Sequence, residues 1–131
     1  MPDVSAIIVT YNSENEIGAC LDALRGRAEV VVVDNASSDR TLIEARKRDW
    51  ALVAATTENR GFAGGVNDGA RLAGGDYLLL LNPDTVIQGD LDELTVACAE
   101  HGIAAGLLLD VAGNPQSGFA ARRLPTPAAL A

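Results

Sequence analysis

Basic residues are scarce in this chain of 131 residues. Ten lysines and arginines stand against 18 aspartates and glutamates, so the net charge is −8. A nucleic-acid surface needs a basic stripe to neutralise phosphates, and this balance therefore argues against a nucleic-acid partner. An acidic protein that holds an anionic ligand also needs a bridge, either a metal cation or backbone N–H groups.

Histidine and cysteine are almost absent. His101, the single histidine, sits at the C-terminus of a predicted helix, and no Ser-His-Asp or Cys-His catalytic set can be assembled from a histidine in so distal a position. The two cysteines, Cys20 and Cys98, fall on apolar faces of predicted helices and lack metal-ligand spacing. We therefore predict two buried free thiols.

Long apolar segments are also missing. The opening MPDVSAIIVTYN has neither the charged region nor the long apolar region of a signal peptide, and no run approaches the length of a membrane span. We expect a cytoplasmic protein, with peripheral attachment at the inner membrane face left open.

Buried-strand and helical patterns alternate along the chain. The predicted strands are 4–10, 29–33, 51–56, 76–81 and 103–109, with a further short strand at 116–120. The predicted helices run from Ser13 to Gly26 and over 40–48, 66–72 and 91–100. This alternation predicts one α/β domain over 1–131, with a mostly parallel sheet flanked by helices.

Two of these helices carry capping-box patterns. Ser13 with Glu16, and Asp90 with Glu93, place an N-cap side chain three residues before a glutamate. In the last helix the predicted apolar positions are Leu91, Leu94, Val96 and Cys98.

Polar side chains follow four of the predicted strands. They are Tyr11 and Asn12, Asp34 and Asn35, Glu58 to Arg60, and Asn82 to Asp84. Each group alone is equally well explained as a turn or a strand stop. Two strand-end carboxylates on one edge of a parallel sheet favour a ligand site, because ligands bind outside the carboxyl ends of such strands.

The glycine-rich stretch ENRGFAGGVNDG does not match the common phosphate-binding motifs. No G-x-G-x-x-G follows the first strand, and no G-K-[ST] is present. Two interpretations stay open: a flexible loop, or small residues that let backbone N–H groups approach a phosphate at a helix start.

Four segments together resemble a known family. AIIVTYNSENEIGACLDAL, VVVDNASSDRT, ENRGFAGGVNDG and YLLLLNPDT are similar, in order and spacing, to the amino-terminal half of family-2 inverting glycosyltransferases. The form LNPDT looks most like the bacterial rhamnosyltransferase branch, and the resemblance extends to about Pro127. It implies a GT-A, Rossmann-like half that binds a nucleotide-diphospho-sugar.

The resemblance also implies roles for particular residues. The donor-binding positions would be Thr10, Tyr11, Asn12, Asp34, Asn59, Arg60, Asn67 and Asn82. Asp34 would accept a hydrogen bond from a uracil or thymine base, with the Tyr11 region against that base. Asn67 would lie near the diphosphate, and Asn59 and Arg60 near the base and ribose. Asp84 would coordinate Mg²⁺ or Mn²⁺, while Asn82 replaces the first aspartate of the family's Asp-x-Asp motif.

The activity implied is metal-assisted transfer from a dTDP-rhamnose or UDP-sugar donor to a glycan or lipid-linked acceptor, in cell-wall or polysaccharide biosynthesis. The family's acceptor half, with its Glu-Asp general base, has no counterpart among these 131 residues. We therefore expect this chain alone to lack the acceptor half and the catalytic base, and to self-associate through exposed apolar surface.

Two alternatives stay open. One is a non-catalytic nucleotide-sugar-binding module. The other is a nucleotidyltransferase-like enzyme, which would need a glycine-rich loop with a basic residue after the first strand, where this chain has TYNSENE.

Overall fold

The computed structural model describes residues 4–116. Within that range the strands are β1 (Val4–Thr10), β2 (Glu29–Asp34), β3 (Leu52–Ala55) and β4 (Tyr77–Leu81). The helices are α1 (Ile17–Leu24), α2 (Thr41–Arg46), α3 (Gly61–Leu72) and α4 (Asp92–His101). The predicted alternation of strands and helices is confirmed through β4, as is the α/β fold class.

The four strands form one parallel sheet in the order β3-β2-β1-β4. Thr10 lies beside Asp34, and Ile8 lies beside Leu81. All four carboxyl ends therefore meet at one edge of the sheet, which we call the rim. β1 and β2 are apolar on both faces and almost wholly buried, as central strands of a parallel sheet must be.

Helices cover the two faces of the sheet unequally. On one face, Ile8 and Val32 pack with Ile17, Leu21 and Leu24 of α1 in the main core. On the other face, α3 lies against β1 and β2. β4 is left partly open on this second face, where Leu78 and Leu80 are about half exposed.

From Gly61 onward the glycine-rich stretch is part of α3, although a helix was predicted only over 66–72. The helix begins at Gly61 and packs very close to the sheet. A Cβ atom on Gly65 would lie 2.6 Å from Val9 Cγ1, and one on Gly69 would lie 2.5 Å from Ile7 Cγ2. These glycines therefore serve close helix–sheet packing, which outweighs the low helix propensity of glycine.

Both predicted capping boxes are wrong. α1 begins at Ile17, whose N–H donates to the Ser13 carbonyl, while the Ser13 hydroxyl donates to the Tyr11 carbonyl. α4 begins at Asp92, and its N-cap is Leu91, which offers no side-chain cap. Short polar side chains readily hydrogen-bond the nearby backbone in turns, and such local bonds form here in place of the capping boxes.

The region after β4 departs most from prediction. Residues 103–109 form no strand, and Leu109 makes only an isolated antiparallel bridge with Pro115. An apolar run becomes a strand only where a neighbouring edge pairs with it, and β4 does not pair with this run. In α4, Val96 is 67% exposed, and Cys98 is only partly buried. The short strand at 116–120 falls outside the described residues, apart from Gln116.

The predicted exposure of apolar surface is confirmed for Ile103 and Leu107, which are 82% and 71% exposed. Self-association through this surface stays a prediction. None of the helices described between residues 4 and 116 has the length and apolar character needed to cross a membrane.

Candidate functional site

Asp34 ends β2 and is almost fully buried, with 2% exposure. Its Oδ1 accepts hydrogen bonds from the hydroxyls of Thr10 (2.8 Å) and Ser37 (2.6 Å), and its Oδ2 accepts one from the backbone N–H of Ser37 (3.0 Å). Three of the four lone pairs of the carboxylate are therefore occupied by the protein. Asp34 organises the rim and keeps one lone pair, on Oδ2, so the contact with a ligand's base that the resemblance implied for it stays a prediction.

Asn12 joins the loop after β1 to the loop after β2. Its backbone N–H donates to the Ser37 hydroxyl at 2.9 Å, and its Oδ1 accepts the backbone N–H of Ser38 at 2.9 Å. The residue has a φ of 50°, a left-handed conformation that asparagine tolerates better than most side chains. Asn12 therefore shapes the rim through its own bonds, beside Tyr11, which is 54% exposed.

The side chain of Asn35, at the rim, carries a buried oxygen that has no hydrogen-bond partner. Its side chain is 2% exposed, and its Nδ2 donates to the Gly61 carbonyl at 2.9 Å. Its Oδ1 is the one buried side-chain oxygen or nitrogen within residues 4–116 that lacks a hydrogen-bond partner in the protein. An unsatisfied buried acceptor costs about 1–3 kcal/mol, so it needs an explanation.

Sequence reasoning placed Asn35 at a strand end but gave it no role. The available signal was only its position next to Asp34, and Asn in such a position is common in ordinary turns. The distinguishing feature is the bond to Gly61, a residue 26 positions further along the chain.

A recess of about 330 Å³ opens between the ends of β1 and β4. Its lining residues are Asn12, Ser13, Glu16, Asn82, Pro83 and Asp84. The structure thus brings together the predicted positions Asn12, Asn82 and Asp84, and adds Glu16, whose carboxylate sequence reasoning had assigned to a capping box.

Cys20 lies beneath this recess. Its thiol is 3.7 Å from the Asn82 carbonyl oxygen, to which it donates a weak hydrogen bond. Burial, and to a smaller extent the charge of Asp84, raises the pKa of Cys20 to about 11. The thiol therefore stays neutral near pH 7 and supports the loop after β4 without adding charge to the recess. Both cysteines are free, as predicted; the predicted burial is confirmed for Cys20, whereas Cys98 is only partly buried.

The oxygen atoms at the recess suit a hard divalent cation that a ligand helps to hold. Asp84 and Glu16 supply carboxylates, and Asn82 supplies an amide oxygen. Residues 4–116 contain no group of three acidic, histidine or cysteine side chains that could hold a metal by themselves. Mg²⁺ is commonly bound through one or two carboxylates together with phosphate oxygens and water, and this donor set fits that arrangement.

The remaining predicted positions lie along α3 and just before it. Asn59 Oδ1 accepts the Gly61 N–H at 2.9 Å, which sets the start of the helix. The Arg60 guanidinium pairs with Asp68 at 2.7 Å. Asn67 is exposed more than one turn beyond the start of α3, and its predicted contact with a diphosphate stays a prediction.

A parallel sheet flanked by helices, with carboxylates and amides along its carboxyl edge, defines an α/β protein with a rim suited to a polar ligand. The model of Glycosyl transferase family 2 matches residues 5–125, so the chain belongs to this family.

Relatives and solved structures agree with this membership. The chain is 37% identical over 99 residues to the low-salt glycan biosynthesis hexosyltransferase Agl10 of Haloferax volcanii, covering 72% of this chain and 32% of the relative. It superposes on Staphylococcus aureus TarS 1-349 in complex with UDP with a TM-score of 0.65 and 31% identity, covering 76% of this chain and 33% of that one.

A third similarity supports the fold alone. Mycobacterium tuberculosis glucosyl-3-phosphoglycerate synthase, solved with Mn²⁺, UDP and phosphoglyceric acid, gives a TM-score of 0.62 at 19% identity, covering 74% of this chain and 38% of that one. These neighbours are GT-A glycosyltransferases. The chain spans about a third of the length of the proteins it matches.

Proposed function

We propose that this chain binds the nucleoside diphosphate part of a sugar donor and serves as the donor-binding part of an inverting glycosyltransferase. The observation that carries the proposal is the recess at the ends of β1 and β4 of a family-2 glycosyltransferase domain, whose carboxylate and amide oxygens suit a cation-bound diphosphate. At the end of β2, the unpartnered Oδ1 of Asn35 has almost no accessible surface in the free protein, and a ligand N–H would satisfy it once the rim opens around it.

The chemistry of Asn35 favours a pyrimidine with an imide. Because Nδ2 is engaged by the Gly61 carbonyl, the amide cannot reverse without losing that bond, and Oδ1 remains its unpaired acceptor. In uracil and thymine the ring nitrogen N3 carries a hydrogen that can be donated to Oδ1, whereas N3 of cytosine is an acceptor. We assign the base contact to Asn35, with the exposed ring of Tyr11 as the surface against which the base stacks.

The recess at the end of β4 suits the diphosphate. Asp84, with Glu16 and Asn82, would hold Mg²⁺ or Mn²⁺ together with the phosphate oxygens. When bound there, the cation would neutralise charge that develops on the leaving nucleoside diphosphate. Support comes from the carboxylate and amide oxygens of the recess, and from the UDP bound in the Staphylococcus aureus TarS structure.

In the whole reaction, an acceptor hydroxyl would displace the nucleoside diphosphate at the anomeric carbon, with inversion. The residues of this chain would orient the donor, fix its base and hold its phosphates. We assign no general base to residues 4–116, and place acceptor binding and the base in the part of the relatives that this chain does not match. The form LNPDT favours dTDP-rhamnose, with a UDP-sugar as the second donor, and a glycan or lipid-linked acceptor at the cytoplasmic face of a membrane.

Calorimetric titration with UDP and dTDP, with and without Mn²⁺, tests this proposal. Asn35→Ala should weaken UDP binding about tenfold, since one buried hydrogen bond is lost. Asn15→Ala, an exposed change in the loop after β1, is the matched control and should bind like the parent chain. Asp84→Ala should remove the enhancement by Mn²⁺.

Three results would overturn parts of the proposal. Equal affinity for CDP and UDP would contradict the base contact at Asn35. Unchanged enhancement by Mn²⁺ in Asp84→Ala would contradict the metal site. Failure of the parent chain to bind either nucleotide would contradict the donor-binding function as a whole.

A further inference from the structure

The backbone of Arg60 lies at the rim, but its guanidinium lies away from the rim. The residue immediately precedes α3, and the bond between Asn35 and Gly61 ties this point of the backbone to the end of β2. The guanidinium of Arg60 nevertheless pairs with Asp68, eight residues further along the chain, at 2.7 Å.

The direction of α3 shows where the ion pair with Asp68 places the Arg60 guanidinium. Gly65 packs on Val9 near the end of β1, and Gly69 packs on Ile7, further from the rim. The helix therefore runs away from the rim, and Asp68 lies about two turns along it. The Arg60 side chain crosses Gly64, where an added Cβ would lie 2.9 Å from the Arg60 Cβ.

The Asp68 carboxylate is shared between two cations. Arg71 pairs with its Oδ1 at 2.7 Å, while Arg60 pairs with its Oδ2. The Arg60 side chain is 49% exposed. Exposed ion pairs are weak, whereas arginine makes strong, two-pronged hydrogen bonds to phosphate. Asp68 keeps a cationic partner in Arg71 when Arg60 leaves it, so the exchange does not strand a charge.

We propose that Asp68 is a positioning residue that holds Arg60 away from the rim in the free protein, and that the phosphates of a bound donor take the guanidinium from it. This inference rests on the proposed donor-binding function. Asp68 therefore lowers the affinity of the protein for the donor, because each binding event must first break the Arg60–Asp68 pair.

Asp68→Asn should therefore raise the affinity for UDP, by about two- to fivefold given the modest strength of exposed ion pairs. Arg60→Gln should lower the affinity. In the double variant, Asp68→Asn should bring no gain, because there is no guanidinium to release. Uridine lacks phosphates, so its affinity should not respond to Asp68→Asn.

The experiment is a double-mutant cycle by calorimetry at fixed salt and Mn²⁺, with UDP and uridine as probes. Asp76→Asn removes the same charge before β4 and controls for the net charge of the chain. Arg71→Gln controls for the other cation, and the gain from Asp68→Asn should persist in that background. Circular dichroism of each variant checks that α3 is retained.

An equal gain from Asp68→Asn with and without Arg60 would overturn the inference, as would an equal gain for uridine or no gain at all. In those cases the parent chain still binds UDP, so the donor-binding function stands. A parent chain that binds no UDP would contradict the proposed function, and this inference with it.

Discussion

The hydroxyl of Thr10 donates a 2.8 Å hydrogen bond to Oδ1 of Asp34, across the pairing of β1 with β2. Both residues are buried, with exposures of 0% and 2%. The two central strands are thus joined at the rim by side chains as well as by their backbone ladder. The loop residue Ser37 adds a second hydroxyl to the same oxygen, so one carboxylate fixes both strand ends and the loop after β2.

Asp34→Asn should destabilise the fold by about 2–3 kcal/mol. The amide oxygen is a weaker acceptor than the carboxylate, and its NH₂ group would face donors that now point at Asp34. Urea unfolding followed by circular dichroism measures the change. Asp49→Asn, at an exposed position between α2 and β3, should stay within about 0.5 kcal/mol of the parent chain. Equal effects of the two changes would contradict the organising role of Asp34.

Gly65→Ala and Gly69→Ala should each destabilise the protein, by about 1–3 kcal/mol, because their Cβ atoms would clash with Val9 and Ile7. Alanine improves helix propensity by at most about 1 kcal/mol, so the clash is the larger effect. Thermal unfolding measures the shift. Gly89→Ala meets open space at an ordinary φ and should be close to neutral. A stabilising Gly65→Ala would show that α3 does not need this close approach.

Ala36→Gly should stabilise the protein or leave its stability unchanged. Ala36 has a φ of 58°, a left-handed conformation that costs an alanine roughly 1–2 kcal/mol and costs glycine almost nothing. The greater freedom of glycine in the unfolded chain offsets part of this gain. The same substitution at exposed Ala19 in α1, at an ordinary helical φ, should cost about 1 kcal/mol. Equal losses at both positions, in urea unfolding, would contradict the strain at Ala36.

Glu29 should make stability depend on acid pH. The hydroxyl of Ser5 and then the backbone N–H of Gly74 donate to this carboxylate and hold its pKa below the ordinary value. Its stabilising contribution is present above the unfolded-state pKa of about 4.3, and is lost as the pH falls through the lower folded-state pKa.

Urea unfolding at pH 7 and at successively lower pH tests this contribution. Glu29→Gln should cost about 1 kcal/mol or less at pH 7, because the carboxylate is exposed, and the difference from the parent chain should shrink in acid. Glu58→Gln, at another exposed glutamate, is the control. A difference that stays constant from pH 7 to pH 3 would contradict the contribution of the charge.

The sequence by itself determined the sheet and the position of the rim. β1 and β2 are short, apolar on both faces and rich in β-branched residues, a local pattern that indicates buried strands of a parallel sheet. Asp34 and Asp84 follow strand ends, so their common edge could be inferred before any contact was known. The same local reasoning failed at 103–109, because a strand also requires a partner edge, which no local pattern specifies.

Only the tertiary structure decided the part each rim residue plays. Asp34 is occupied by Thr10, which lies 24 positions away, while Asn35 is oriented by Gly61, which lies 26 positions away. The glycines of α3 likewise read as structure breakers until their contacts with Val9 and Ile7 are known. Hydrogen-bond capacity and close packing depend on atoms that the fold brings together. Local composition predicts where a polar group lies but not which of its atoms remain free for a ligand.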